Sequence, residues 1–264
     1  MKLSISNIGW TSNYDTTVYE LMKKNGFSGL EIAPTRIFPK SPYDNLDDAR
    51  EWSNHIMQNF GFSIPSMQSI WFGRQEKLFG TQEERNILLD YTKKAINFAN
   101  AIGCKNLVFG CPKNRYLPDG LTDSIAVDFF GELGDYAFSH NTAIGMEANP
   151  PIYNTNYINN TYDALSLIKK VNSKGFLLNL DVGTMIYNNE SVNILASNVK
   201  YINHIHISEP GLAVIQERSL HNNLNQILRE EGYQGFVSIE MGKQENLNIL
   251  EKALMYVRRI FDDI

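Results

Sequence analysis

The stretch Tyr201-Ile-Asn-His-Ile-His-Ile-Ser-Glu-Pro210 alternates apolar and polar residues, which predicts a β-strand with a polar end. Successive side chains of a strand point to opposite faces, so Ile202, His204 and His206 should share one face, opposite Asn203. Imidazoles are costly to bury unless other groups supply hydrogen-bond partners. The end of this strand therefore indicates a site to which neighbouring strands contribute.

Three other apolar runs end in the same way, each with a single carboxylate. They are Ala143-Ile-Gly-Met-Glu147, Phe176-Leu-Leu-Asn-Leu-Asp181 and Gly235-Phe-Val-Ser-Ile-Glu240. Together with His206, these polar ends follow one another at intervals of 34, 25 and 34 residues. Such intervals suit one strand plus one helix, the repeating unit of a parallel sheet.

Alternating helical and strand patterns cover the whole chain. Apolar spacings of three and four residues predict helices over 15–25, 45–60, 82–101, 123–140, 162–171, 220–231 and 246–262, with a weaker one over 192–198. Strands are predicted over 2–8, 30–32, 64–69 and 106–109 in addition to the four runs above. Two connections contain the same motif, Gly-aromatic-x-Gly, at Gly26–Gly29 and Gly232–Gly235. The first glycine of the motif suits the left-handed backbone conformation that often ends a helix.

This alternation implies a parallel sheet, either closed into a barrel or doubly wound. A doubly wound sheet would normally carry a glycine-rich phosphate loop after its first strand, and the sequence lacks one there. The length of 264 residues fits a (β/α)8 TIM barrel, and no linker or low-complexity tract divides the chain. We therefore predict a single TIM-barrel domain over residues 1–264.

Composition argues against several classes of protein. The formal net charge of −5 disfavours a nucleic-acid-binding protein, which usually carries a basic face. No apolar run approaches the length of a membrane span, and the first residues are too polar for a signal peptide. Cys104 and Cys111 are expected to be buried thiols in a reducing compartment. We expect a cytoplasmic protein without nucleic-acid or membrane partners, and homo-oligomerisation stays open.

The polar strand ends should meet at one mouth of the barrel. Glu147, Asp181, His206 and Glu240 would then converge, and uncompensated carboxylates in one cleft repel each other. One divalent cation resolves the conflict, and three oxygens with one nitrogen suit Mn2+, Mg2+ or Co2+, with Zn2+ as a further candidate. Any one carboxylate could instead cap a helix or pair with a lysine or arginine. Four polar ends in successive units make that alternative weaker.

The sequence resembles the sugar isomerase/epimerase superfamily with a xylose-isomerase-like TIM barrel, which includes sugar phosphate isomerases and ketose 3-epimerases. The segments that carry the resemblance are Leu30–Ile32, Val108–Arg115, Gly145–Pro150, Leu180–Gly183, His204–Glu209 and Gly232–Met241. The match spans nearly the whole chain and is most specific in its C-terminal half.

The resemblance implies a metal-dependent isomerase or epimerase that acts on a small sugar or sugar phosphate. Its metal ligands would be Glu147, Asp181, His206 and Glu240. Glu147 and Glu240 would also exchange protons with the substrate from opposite faces, around a metal-bound cis-enediolate. His204 lies two residues before His206, further from the mouth of the barrel, and is interpreted as a hydrogen-bonded core histidine. The candidate substrate-binding residues are Glu31, Gln68, Lys113, Arg115, Asn149, Glu209 and His221, the last of which could instead begin a helix.

One position departs from the family pattern and keeps alternatives open. Many metal-dependent epimerases carry a histidine three residues after the aspartate ligand, where this chain has Thr184. A dehydratase acting on a cyclic polyol of the inosose type, or a non-catalytic sugar-binding barrel, are therefore alternatives. The apurinic endonucleases share the fold but need several more histidines than the five of this chain, so DNA repair is disfavoured.

Overall fold

Eight parallel strands alternate with helices within residues 1–262, which the computed structural model describes. The strands are β1 (Lys2–Ser6), β2 (Gly29–Glu31), β3 (Ser66–Met67), β4 (Asn106–Phe109), β5 (Ile144–Met146), β6 (Phe176–Asp181), β7 (Ile202–Ile207) and β8 (Phe236–Ile239). The helices are α1 (Asp15–Lys24), α2 (Pro34–Ile37), α3 (Leu46–Phe60), α4 (Gln82–Ala101), α5 (Ser124–Ser139), α6 (Thr161–Val171), α7 (Val182–Asn188), α8 (Ser219–Glu230) and α9 (Leu247–Phe261).

The strands form one nearly closed barrel. Their order is β2-β1-β8-β7-β6-β5-β4-β3, and every neighbouring pair is parallel. Two isolated bridges, Gly29 with Ser63 and Ile32 with Met67, close the remaining seam between β2 and β3. The predicted TIM barrel is therefore confirmed. Because all strands run in the same direction, their carboxyl ends lie at one mouth, where TIM barrels carry their functional groups.

The repeated Gly-aromatic-x-Gly motif has a steric explanation. Gly26 and Gly232 adopt φ of 75° and 73°, in the left-handed region where a side chain would be strained. The second glycine of each motif is needed for a different reason, namely that a neighbouring aromatic side chain occupies the space of a Cβ atom. A Cβ atom on Gly29 would lie 2.6 Å from the ring of Phe236, and one on Gly235 would lie 2.4 Å from the Tyr233 hydroxyl.

Buried polar side chains fill much of the barrel interior. The Asn106 amide donates to Ser66 Oγ at 3.0 Å and to Asn179 Oδ1 at 3.2 Å, so it connects β3, β4 and β6. Gly145 makes room for this contact, since a Cβ atom there would lie 2.4 Å from Asn106 Oδ1. The apolar core occupies the layer between the strands and the helices, where residues such as Ile205 are fully buried.

The alternation predicted for β7 is wrong at one position. The pairing of β6 with β7 shifts register between Leu178 and Asn179, which leaves Asn203 as an extra residue. Its side-chain amide donates to Asn106 Oδ1 at 2.8 Å. This bulge turns Asn203 toward the polar interior, so Ile202 and His204 do not follow a simple alternation.

Two further differences concern short elements. The pattern over 192–198 yields a 3-10 turn at Val192–Leu195, whereas the α-helix of this connection is α7. That helix begins directly after Asp181, whose carboxylate accepts hydrogen bonds from the Gly183 and Thr184 amides. Strand β3 is also shorter than predicted, since Pro65 offers no amide hydrogen for pairing. No helix in residues 1–262 has the length and apolar character to cross a membrane.

Candidate functional site

A cleft opens at the carboxyl ends of the strands and has a volume of ≈ 180 Å³. Four carboxylates contribute to its lining, namely those of Glu147, Asp181, Glu209 and Glu240. The remaining wall is partly apolar, with side chains of Val108, Cys111, Pro112, Tyr153 and Leu212. The cleft thus combines an acidic floor with apolar sides.

His206 lies directly beneath this floor and is fully buried. Its Nδ1 atom is 3.0 Å from Glu147 Oε1 and 3.3 Å from Glu240 Oε2. Its Nε2 atom is 2.9 Å from Glu31 Oε2. Burial alone would lower the pKa of His206, but the charges of Glu31 and Glu240 raise it well above its ordinary value. The ring therefore joins the cleft to a carboxylate in the barrel interior.

Glu31 is the interior partner of both strand histidines. Its Oε2 atom lies 2.8 Å from His204 Nε2, and its Oε1 atom accepts a hydrogen bond from Gln68 at 3.1 Å. Burial raises the pKa of such a group, yet the charge of His206 and the contacts with both histidines outweigh it and lower the Glu31 pKa. Glu31 thus lies below the cleft rather than in its lining.

Glu147 is held in position by two amide groups. Asn179 donates to Oε1 at 2.9 Å, and Asn149 donates to Oε2 at 3.1 Å. A Cβ atom on Gly110 would lie 2.7 Å from Oε2, so glycine at that position leaves space for the carboxylate. Because both oxygens already accept hydrogen bonds, the Glu147 side chain has a defined orientation toward His206.

Asp181 and Glu240 both have raised pKa values. Burial, together with the negative charge of Glu147, raises the pKa of Asp181 to about 6. Burial raises the pKa of Glu240 to about 7, against the opposing effect of His206. The Asp181 carboxylate also accepts hydrogen bonds from the hydroxyls of Thr184 and Ser208. The Thr184 hydroxyl lies 2.8 Å from both Asp181 Oδ2 and the Ala148 carbonyl oxygen, and its single hydrogen can be donated to either of them, so Thr184 helps to orient Asp181.

The residues predicted to bind substrate divide into two groups. Gln68, Asn149 and Glu209 line the cleft, whereas Glu31, Lys113, Arg115 and His221 do not. Lys113 is exposed on the loop after β4. His221 is buried in α8, where Nδ1 lies 2.8 Å from the Tyr256 hydroxyl.

Arg115 has a different position from the one expected of a substrate ligand. It is fully buried, and its guanidinium donates to the backbone carbonyls of Phe109, Glu147 and Ile158. It also donates to Asn149 Oδ1 at 3.0 Å. Burial lowers the pKa of Arg115 to about 10. Its contacts hold the backbone at the end of β5 and the amide that orients Glu147.

Sequence reasoning missed Arg218, Asn179 and Tyr153. The Arg218 guanidinium makes a two-pronged ion pair with Glu209, with nitrogen–oxygen distances of 2.7 and 2.5 Å. No spacing rule links a loop arginine to a glutamate nine residues earlier. Asn179 did carry a signal, since it interrupts the apolar run of β6 on the same face as Asp181. The Tyr153 hydroxyl accepts a hydrogen bond from the Gly211 amide and so joins the loops after β5 and β7.

The donor atoms of this site fit a divalent cation. One oxygen of Glu147, one oxygen of Glu240 and a ring nitrogen of His206 all lie within 4.8 Å of one another. Asp181 pairs in register with His206 across β6 and β7 and lines the same cleft. Carboxylate oxygens with one imidazole suit Mn2+, Mg2+, Co2+ or Zn2+. The Nε2 contact with Glu31 is the outer contact that metal-binding histidines usually have.

Several solved structures are similar over nearly their whole length. The 3-keto-D-glucoside 4-epimerase YcjR from E. coli is 18% identical, with a TM-score of 0.78 and coverage of 98% of this chain and 99% of that one. D-psicose 3-epimerase from Clostridium cellulolyticum H10, solved with D-tagatose, is 15% identical, with a TM-score of 0.80 and 99% coverage of both chains. The IOLI protein with a bound zinc atom is 19% identical, with a TM-score of 0.70 and coverage of 100% and 97%.

At these identities the likeness concerns the fold. A comparison with curated proteins finds no match. The family model of the xylose isomerase-like TIM barrel matches residues 19–260, which include every strand end that lines the cleft. The chain therefore belongs to the xylose isomerase-like TIM barrel family.

Proposed function

We propose that this protein is a divalent-metal-dependent isomerase or epimerase of a small sugar. The observation that carries the proposal is the pair of buried carboxylates, Glu147 and Glu240, that face one ring nitrogen of His206 at the floor of the cleft. The solved structures with the same fold include sugar epimerases, which supports this class of reaction. Their low identity leaves the sugar itself open.

Glu147, Asp181, His206 and Glu240 would hold the cation. A bound divalent ion would polarise the carbonyl group of a ketose or aldose and stabilise negative charge on its oxygen. The protein supplies the orientation. Asn149 and Asn179 fix Glu147, Thr184 and Ser208 fix Asp181, and Glu31 fixes His206.

The two glutamates would move the proton. One carboxylate removes a proton from the carbon next to the carbonyl, and the electron pair of that C–H bond delocalises onto the carbonyl oxygen. The other glutamate, in its protonated form, returns a proton to the opposite face of the same carbon or to its neighbour. Return to the same carbon gives an epimer. Return to the former carbonyl carbon gives an isomer, provided that the hydroxyl proton on the adjacent oxygen also moves to the old carbonyl oxygen, so that the new carbonyl forms on the first carbon. Burial of both side chains limits competition from water.

Metal binding should stabilise the fold. We expect Mn2+, added to protein stripped with a chelator, to raise the melting temperature by several degrees, because a ligand that binds only the folded state stabilises it. Differential scanning calorimetry across Mn2+, Mg2+, Co2+ and Zn2+ measures the effect. His206→Ala should abolish the increase, whereas His55→Ala, on the surface of α3, should keep it. An unchanged melting temperature with all four ions would instead indicate a metal-free sugar-binding barrel.

Proton exchange is the direct test of the reaction class. With metal present, we expect the enzyme to exchange the hydrogen next to the carbonyl of a ketose for solvent deuterium. The glutamate that removes this proton can exchange it with solvent before a proton is returned to carbon. Proton NMR of a panel of ketoses and cyclic polyols in D2O measures exchange and product together. Exchange followed by loss of water would instead identify a dehydratase of cyclic polyols. No exchange with any compound would contradict the proposal.

A further inference from the structure

We infer that the cleft takes an uncharged sugar and not a sugar phosphate. This inference rests on the proposed function and narrows its substrate class. A phosphate group needs positive charge or free backbone amides, and proteins usually supply arginine, lysine or the N-terminus of a helix. Three kinds of group around the cleft are therefore relevant, namely cationic side chains, free backbone amides and helix N-termini.

The lining carries no cationic side chain. Among the described residues, neither lysine nor arginine contributes to it, whereas four carboxylates do. One divalent cation and the nearby Arg218 leave the formal charge of these carboxylates incompletely balanced. A dianionic phosphate would therefore meet a surface of its own sign, and like charges placed close together disfavour binding strongly.

Two arginines that contact residues of the lining, Arg115 and Arg218, are already used within the protein. Arg115 donates to three backbone carbonyls and to Asn149, and burial closes it off from solvent. Arg218 holds both oxygens of Glu209. Freeing either guanidinium for a phosphate would leave buried acceptors unpaired, which costs more than the new contact returns.

Several backbone amides at the usual phosphate position are also occupied. In TIM barrels that position is formed by the loops after β7 and β8. Here the Gly211 amide donates to the Tyr153 hydroxyl, and the Leu212 amide donates to the Glu209 carbonyl. The Gly242 amide donates to the Leu212 carbonyl, and the Gln244 amide donates to Gly9. These four amides are therefore already used within the protein and do not offer a free cradle for an anion.

Three helix N-termini, those of α6, α7 and α9, are likewise capped by the protein itself. The amides of Gly183 and Thr184 at the start of α7 donate to Asp181. At the start of α6, Glu190 accepts from Thr161 and Asn160 accepts from Asp163. At the start of α9, Asn246 accepts from Asn248. The acceptors that stabilise these helices also block them as anion sites.

The test compares free ketohexoses with their 6-phosphates on the Mg2+-loaded enzyme. Deuterium exchange should be at least about 100-fold faster, as kcat/KM, for the free sugar, given the cost of juxtaposing like charges. Leu212→Lys adds a cation to the lining and should reduce this ratio by about tenfold, while Lys113→Ala, outside the lining, should leave it unchanged. Titration calorimetry with inorganic phosphate should show no binding tighter than about 1 mM.

Each outcome separates this inference from the proposed function. Equal or faster exchange with a 6-phosphate would overturn the inference and leave the sugar isomerase or epimerase intact. If no sugar exchanges, the proposed function fails, but the phosphate titration still decides the charge preference of the cleft. Phosphate binding that Lys113→Ala removes would place an anion site at the rim and overturn the inference.

Discussion

Glu240→Gln should lower turnover by a factor of about 10² or more while the protein keeps its metal. Glutamine has the shape of glutamate and keeps one oxygen that can contact a cation. It has no carboxylate to accept a proton from carbon, and it has no acidic proton to return. Because Glu240 lies at the end of β8, with its amide bound to the Ile207 carbonyl, the substitution should leave the backbone in place. Steady-state kinetics and metal analysis on the same preparation measure both quantities.

Asp181→Ala gives the contrasting result. Asp181 is a proposed ligand but not a proposed base, so its loss should weaken metal binding, and excess cation should restore part of the activity. Its hydrogen bonds with Thr184 and Ser208 make some loss of stability expected as well. If Glu240→Gln kept nearly full activity at saturating metal, proton exchange by two glutamates would be wrong. Another group would then have to move the proton in place of Glu240.

Glu31→Leu should weaken metal binding by about 10- to 100-fold, although Glu31 does not line the cleft. Glu31 Oε2 lies 2.9 Å from Nε2 of His206 and so keeps the proton on that nitrogen. When a cation replaces the proton on the other nitrogen, Nδ1, the lone pair of Nδ1 can face that cation beside Glu147 and Glu240. Leucine removes this control and leaves His204 and His206 without their acidic partner. Removing one member of a buried ion pair typically costs about 3–5 kcal/mol of stability.

Two measurements separate positioning from general destabilisation. Nitrogen-15 NMR of the metal-free protein should show a change in the protonation of the His206 ring in Glu31→Leu, and calorimetry should show the weaker metal affinity at a temperature where the variant is folded. Glu31→Gln, which keeps one acceptor oxygen, should have a smaller effect on both. Glu217→Gln, on an exposed carboxylate paired with Arg259, is the matched control and should change neither. Unaltered protonation of the His206 ring with wild-type metal affinity would show that Glu31 has only a structural role.

The fold could be predicted because its signals are local. The spacing of Glu147, Asp181, His206 and Glu240 depends only on the length of one strand and one helix. Gly26, Gly61, Gly103 and Gly232 have positive φ and lie just after the ends of helices. The family match confirms this interpretation. Strand direction predicts that the four strand ends meet at one mouth. Glu147, His206 and Glu240 offer ligand atoms within 4.8 Å of one another, and Asp181 lines the same cleft.

The contacts of the flanking residues could not be predicted in the same way. Arg115 stands beside the polar loop after β4, where it suggests a substrate contact, but its acceptors are carbonyls from three different segments. Which carbonyls remain unpaired is decided only when the barrel is complete. Glu31 presents the same difficulty, since both of its histidine partners lie more than 170 residues later in the sequence. Long-range partners of this kind leave no periodic signal.

The polar interior of the barrel has a consequence for how the protein folds. Asn106 is hydrogen-bonded to Ser66, Asn179 and Asn203, so one side chain links strands from both halves of the molecule. An isolated half-barrel would keep this amide at its centre without its full set of partners, and unpaired buried amides are penalised. The network therefore stabilises the complete barrel more than a partly assembled one. Cooperativity in this barrel comes from its amides and hydroxyls as well as from its apolar layer.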